Sequence, residues 1–376
     1  NVSCLANELY QQYDQRRTSG FSWLYSAGNL GALLSAILCG WVAYVTKSWH
    51  VGFALASFFL LCGILFFLSG RKYFNHTRSV NMKILNNKMY IFSNKYWMMA
   101  MLLLVILFFV LLLQHQIAVY LLIIIGIISA FFLIKIISHC TSDERKRVVY
   151  ICIFTLFATV FWVFDQQNGS SLILYIQRNV DRHLFGITIP TAVFQSVNSG
   201  SVIIGGFFVA WLWRVLANAK INVPSLIKLS MGNLLLTIGF ILIACSAYHA
   251  HHSPTGHTSV TWVIIGMILI GVAELFVDPV VTAKIVQLNP ANSSGILMGI
   301  YMLVTGSFAN YIASQLASLT DVQQSGTITT IERIHMADIY SIIFRNISIT
   351  GIGITAGLII FSMVIHRLLK LTASES

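Results

Sequence analysis

Glu274 and Asp278 stand four residues apart inside an otherwise apolar run. That spacing puts both on one face of a helix, where two anions repel. Either one of them holds a proton at neutral pH or a cation from another helix sits beside them. Both arrangements suit a proton relay, and the blander alternative is that Asp278 lies near the inner end of its helix and is simply hydrated. Pro279 follows and is expected to break the backbone ladder, as at the polar sites of many transporters.

A second polar run, Trp162-Val-Phe-Asp-Gln-Gln-Asn-Gly-Ser-Ser171, places an aromatic, a carboxylate and several amides on one helix. Such a run is costly against lipid, so it is expected to line a watery cavity, with interhelical hydrogen bonding as the competing role. Asn29, Asn198 and Asn310 are single amides in other apolar stretches.

These groups need elements to position them, and the composition says which. Of 376 residues 57% are hydrophobic and only 9% charged, against about 25% charged in soluble domains. The bilayer is therefore the solvent, and the fold class expected is all-α and polytopic. Apolar segments long enough to cross roughly 30 Å of hydrocarbon occur at residues 20–44, 50–69, 96–113, 117–138, 148–177, 191–215, 225–248, 259–287, 294–319 and 340–368. The opening stretch to Tyr10 is too short to span, and Asn1 is not a start methionine. The chain is read as cut at its N-terminus.

The net charge of +11 sits in loops and reads as topology, not as a nucleic-acid partner. Assigning alternate loops to opposite sides gives one side 18 of the 23 Lys and Arg residues, including the basic connector 70–95 and the Arg145–Arg147 cluster. That side is taken as cytoplasmic, with the C-terminus on it. The six cysteines form no C-x-x-C pair and read as packing residues. His249, His251, His252 and His257 read as a solvated outer loop, not a metal site. Gly295 and Gly299 read as a helix-packing pair. No P-loop or hydrolase motif is present, so enzyme chemistry has no support.

The segment Phe21-Ser-Trp-Leu-Tyr-Ser-Ala-Gly-Asn-Leu-Gly-Ala-Leu33 closely resembles a signature of the proton-dependent oligopeptide transporter family, a branch of the major facilitator superfamily. Only Ser26 departs from its constrained positions. Asn1-Val-Ser, Asp14-Gln-Arg-Arg17, Phe161-Trp162 with Asp165-Gln-Gln, Gln195-Ser-Val-Asn198, Glu274-Leu-Phe with Pro279, and Met298-Gly299 resemble further family blocks in order along the chain.

The resemblance implies two six-helix bundles with two extra helices between them, the first three helices and part of the fourth being missing here. Residues 1–70 would be the remnant of the N-terminal bundle, 71–144 the basic connector with two lipid-facing inserted helices, and 145–376 the C-terminal six-helix bundle. It implies a symporter that imports di- and tripeptides with protons, in a bacterial inner membrane. No cofactor or metal is implied beyond protons as the coupling ion, and the oligomeric state is left open.

By the same resemblance Asn29, Trp162, Asn198, Glu274 and Tyr301 would bind substrate. Asp165 or Gln166 and Glu274 would serve gating or proton coupling, and Glu274 would pair with a lysine falling just before Asn1; Asp278 joins the proton-coupling group through its four-residue spacing from Glu274 and not through the resemblance. Asp278 stands where a serine is usual, Ser199 where a proline is usual, and Tyr301 where a tryptophan is usual. The alternatives are a related carrier of another small solute, or a non-transporting truncated remnant.

Overall fold

The computed structural model describes residues 16–70, 88–89, 92–112, 115–184, 186–221, 223–288, 293–319 and 329–368. The opening stretch to Tyr10 and most of the basic connector lie outside these. The chain is helical: α1 (Arg16–Thr46), α2 (Trp49–Ser69), α3 (Asn94–Leu112), α4 (His115–His139), α5 (Ser142–Asp165), α6 (Ser171–Asn179), α7 (Gln195–Asn218), α8 (Ser225–His252), α9 (Val260–Leu288), α10 (Ser294–Met302), α11 (Ala309–Ser318) and α12 (Thr330–Leu368). Three two-residue ladders are the sheet structure among the described residues. Nine segments of the described residues are long and apolar enough to span a membrane, and α3, at 19 residues, occupies the tenth expected position.

Helices suit this sequence because in hydrocarbon every backbone N–H and C=O must be satisfied within the segment. Hydroxyls follow the same rule. Ser201, Ser230, Thr237, Thr305, Ser348 and Thr355 each donate to the carbonyl four residues back, so none needs water. Large apolar side chains face outward instead, with Phe66 81% and Phe207 77% exposed.

The chain divides into two units. One comprises residues 1–27 and 54–134, and the other residues 28–53 and 135–376. In the first unit α3 and α4 present exposed apolar side chains such as Met101, Leu103 and Ile127.

The second unit has a core. In it α8 packs on both α9 and α12, and α9 packs on α7 and α5. Close approach is set by glycines: a Cβ on Gly239 would lie 2.9 Å from the Gly266 carbonyl oxygen, and one on Gly266 3.0 Å from that of Gly239. Phe240, Tyr340 and Phe344 fill the α8–α12 seam, and Ile243 packs against Gly266 of α9. At one end Asn179 Nδ2 donates to both Gly256 O at 3.0 Å and Arg333 O at 2.8 Å. This single side chain ties the end of α6, the α8–α9 turn and the start of α12. Gly256 has φ +68°, and the Arg333 stem lies against it where a Cβ would project.

Several expectations are corrected. Helix α1 already begins at Arg16, and α5 and α12 begin earlier than the apolar pattern suggests. Each of these two starts has a capping box: Thr141 with Glu144, and Thr329 with Glu332. The segment 148–177 is not one helix, since a 3₁₀ turn over Gln166–Gly169 separates α5 from α6.

Pro279 does not interrupt α9. The ring removes one donor while the remaining ladder holds, and Thr282 Oγ1 bonds the Asp278 carbonyl at 2.8 Å. The discontinuities lie instead in that 3₁₀ turn and in a π-helical turn over Leu303–Phe308. His249, His251 and His252 are not loop residues, because α8 continues through His252; His249 stacks on Trp262 and His251 contacts the Ile334 carbonyl. Among the described residues Gly295 and Gly299 serve no close helix packing, for a Cβ on either meets nothing within 4 Å.

Candidate functional site

Three carboxylates inside the second unit each have a neutral donor. Glu274 accepts from Asn198 Nδ2 at 2.8 Å, which joins α9 to α7. Asp278 accepts from the Tyr301 hydroxyl at 2.7 Å, which joins α9 to α10. Asp165, at the end of α5 and 5% exposed, accepts a longer bond of 3.4 Å from Asn168 Nδ2. Charge on Asp165 and on Glu274 is mutually felt, as is charge on Glu274 and Asp278. The acids of α5 and α9 therefore form one electrostatic group.

Local structure explains how these side chains meet. Asn198 lies where α7 and α9 approach closely, since a Cβ on Gly271 would lie 2.8 Å from the Asn198 carbonyl oxygen. Glycine at position 271 lets the amide reach one turn along α9 to Glu274. The 3₁₀ turn after Asp165 swings Gln167 inward, where Nε2 donates to the Ala313 carbonyl at 3.2 Å and Oε1 accepts from Ser171 at 2.6 Å. Tyr301, 1% exposed, lies two residues before the π turn, a distortion frequent at functional sites. Asn310 Nδ2 serves that turn by donating to the Gly306 carbonyl at 2.7 Å.

Trp162 is half-buried with its ring edge-on to Phe161. Its indole nitrogen is buried, has no close hydrogen-bond partner and faces the Tyr301 hydroxyl. Gln166 is half-buried in the 3₁₀ turn. Asn29 is half-buried on α1, one turn before Leu33, whose Cδ1 lies 3.3 Å from where a Gly200 Cβ would be; Ala192 likewise abuts Gly40. Residues 33–40 of α1 thus run antiparallel to residues 192–200, at the start of α7.

The structure brings Asp165, Asn198, Glu274, Asp278, Tyr301 and Trp162 together, with Gln166 adjoining. The Trp162–Ser171 run divides between roles: Gln167 and Ser171 are spent on bonds within the protein, while Asp165 joins the acids. Asp278 and Tyr301, two of the residues that depart from the family pattern, touch each other. Sequence reading missed Gln167 and Asn168 as individuals; their signal was a helix expected to run on through Gly169, a poor helix former. Among the described residues no group of three His, Cys, Asp or Glu is placed to hold a metal ion.

The model of the POT family matches residues 1–334. The chain belongs to the POT family. It is similar to the peptide transporter YePEPT of Yersinia enterocolitica, 26% identical over 393 aligned positions that cover 100% of this chain and 73% of that protein. It is 25% identical over 363 positions to dipeptide and tripeptide permease A of Cronobacter turicensis, covering 94% of this chain and 68% of that one. With the uncharacterized transporter YclF of Bacillus subtilis it shares 28% over 326 positions, 85% of this chain and 65% of that one.

Among solved structures it superposes on a mutant of the peptide transporter POT in complex with alafosfalin, with TM-score 0.77 and 25% identity, covering 98% of this chain and 72% of that one. A POT family transporter in complex with 5-aminolevulinic acid matches at TM-score 0.76 and 25% identity, covering 97% and 73%. This POT-family chain is thus a multi-pass, all-α membrane protein of major-facilitator type. Its family is one of transporters, not enzymes.

Proposed function

We propose that this chain is the greater part of a proton-coupled symporter that imports di- and tripeptides. The observation that carries the reading is the Asn198–Glu274 bond within a group of three acids held inside lipid-length helices. Peptide transport is what the names of two relatives describe. An ionisable side chain at membrane depth is expensive on insertion scales, about 2.5–3.5 kcal/mol, and is kept where it binds ions or substrate.

In this reading Glu274 receives the peptide amino end, Asn198 holds the carboxylate in place, Asn29 bonds the peptide backbone, and Trp162 and Tyr301 form walls. Asp165, with Gln166 beside it, takes the gating role. Because the three acids share one field, a proton arriving on any of them weakens the hold of the others on a cation. That is the physical basis for coupling: protonation and substrate binding each alter which gate pairing is favoured, and the two bundles rock about the site. Residues 1–70, 71–144 and 145–376 are assigned to the N-terminal bundle, the connector with its inserted helices, and the C-terminal bundle. The excess of Lys and Arg on one side supports a cytoplasmic C-terminus in a bacterial inner membrane.

The test uses the natural protein containing this chain, purified into proteoliposomes. An imposed inward proton gradient should accumulate a labelled dipeptide, and a protonophore should abolish the accumulation. Failure of any di- or tripeptide to accumulate under the gradient would overturn the reading. Because one solved relative holds 5-aminolevulinic acid, that compound is the first alternative solute to assay.

A further inference from the structure

Around the acid group, acceptors outnumber donors. Asn168 is 2% exposed; its Nδ2 is given to Asp165, and its Oδ1 is buried with no hydrogen-bond partner. Asn198 repeats the pattern, with Nδ2 on Glu274 and Oδ1 buried and unpartnered. A buried carbonyl left without a donor costs about 1–3 kcal/mol. Two such oxygens beside three carboxylates describe a surface that awaits N–H donors from outside the protein.

The chemistry of the missing donor can be narrowed. A metal ion needs oxygens drawn together at roughly 2.0–2.6 Å, and no three acids converge in that way among the described residues. An ammonium or guanidinium with several N–H groups bridges a wider spacing. One such cation is the peptide amino end on Glu274. Asp278 lies one helical turn further along the same face, about 6 Å on, and Tyr301 fixes its carboxylate at 2.7 Å. A second cation therefore has a place.

We propose that Asp278, positioned by Tyr301, is a specificity determinant that selects peptides carrying a basic side chain in addition to their amino terminus. This rests on the peptide-carrier reading above. The chamber would favour lysyl or arginyl peptides over neutral ones and disfavour acidic ones, which add a like charge to the same oxygens.

The experiment is competition against uptake of labelled Ala-Ala by unlabelled Ala-Lys, Ala-Ala and Ala-Glu in the natural protein. The expected order of potency is Ala-Lys, then Ala-Ala, then Ala-Glu. Asp278→Asn is expected to lower the Ala-Lys to Ala-Ala potency ratio about tenfold, or 1.4 kcal/mol, and Tyr301→Phe, which keeps the acid but removes the hydroxyl that fixes it, lowers the ratio by a smaller factor. A wild-type protein indifferent to the lysyl side chain, or an Asp278→Asn ratio equal to wild type, overturns the proposal. If Asp278→Asn does not fold, the wild-type order and Tyr301→Phe decide. Absence of labelled Ala-Ala uptake in the wild type would defeat the carrier reading instead.

Discussion

The Asn198 side-chain amide donates to Glu274 Oε1 at 2.8 Å and so links α7 to α9. A neutral amide orients a carboxylate without neutralising it, and the link leaves Glu274 able to exchange one cation for another. A lysine or arginine at position 198 would instead hold it as a closed pair. The bond also reports on protonation, because an amide N–H is a better partner for a carboxylate than for a carboxylic acid.

Glu274→Gln keeps the shape and the Asn198 contact and removes the titration. Gradient-driven dipeptide uptake is expected to fall to background, while counterflow exchange persists within about tenfold, a change of ~1.4 kcal/mol. The measurement is paired uptake and exchange in the same proteoliposomes. Driven uptake at the wild-type rate would remove Glu274 from the coupling path.

Glycine spacing is a separate matter from glycine contact. Gly239 and Gly266 each sit against the other's carbonyl oxygen, so Gly239→Val should force α8 and α9 apart at a cost of about 1–3 kcal/mol. Gly295→Ala and Gly299→Ala meet no neighbour among the described residues and should leave stability unchanged or slightly raised, since alanine is the better helix former. Melting temperatures in detergent test the contrast. Equal melting of Gly239→Val and Gly299→Ala would contradict the packing described here.

These glycines show where sequence reading stops. Span positions were legible because lipid imposes a length and a composition, and Glu274 and Asp165 stood out because charged groups at membrane depth are rare, whereas Asn198 was singled out from Asn29 and Asn310 only through the Gln195-Ser-Val-Asn198 resemblance. The G-x-x-x-G spacing misled because it fixes a helix face but not what that face meets. Two capping boxes, Thr141 with Glu144 and Thr329 with Glu332, were readable in the T-x-x-E pattern but were outweighed by hydropathy. The 3₁₀ and π turns depend on tertiary partners, such as the Ala313 carbonyl that takes Gln167, and no local pattern names such a partner.

Gln167 is fully buried and makes both the bond to Ala313 and the bond from Ser171. Gln167→Leu leaves the Ser171 hydroxyl and the Ala313 carbonyl short of these partners. A loss of about 1–3 kcal/mol follows from leaving buried polar groups unpaired, read as a lowered melting temperature. A melting temperature equal to wild type would show that the turn does not depend on this side chain.

His257, in the turn before α9, gives a pH-dependent prediction. Burial first, and then the Arg333 guanidinium, push its imidazole below the ordinary value of 6.5; Asp181 and the Asn179 backbone pull the other way, and Arg182 adds to the lowering. The unfolded chain therefore takes up this proton at a higher pH than the folded one. Its contribution to stability is full above about pH 6.5 and is lost as pH falls below it toward the folded value. Melting temperature should fall on acidification through that window, and fall less steeply in His257→Gln, which carries no titrating ring. Asp181→Asn, which removes a group favouring the imidazolium, should make the fall steeper. Superimposable melting curves across pH for wild type and His257→Gln would rule out this imidazole as a source of the acid sensitivity.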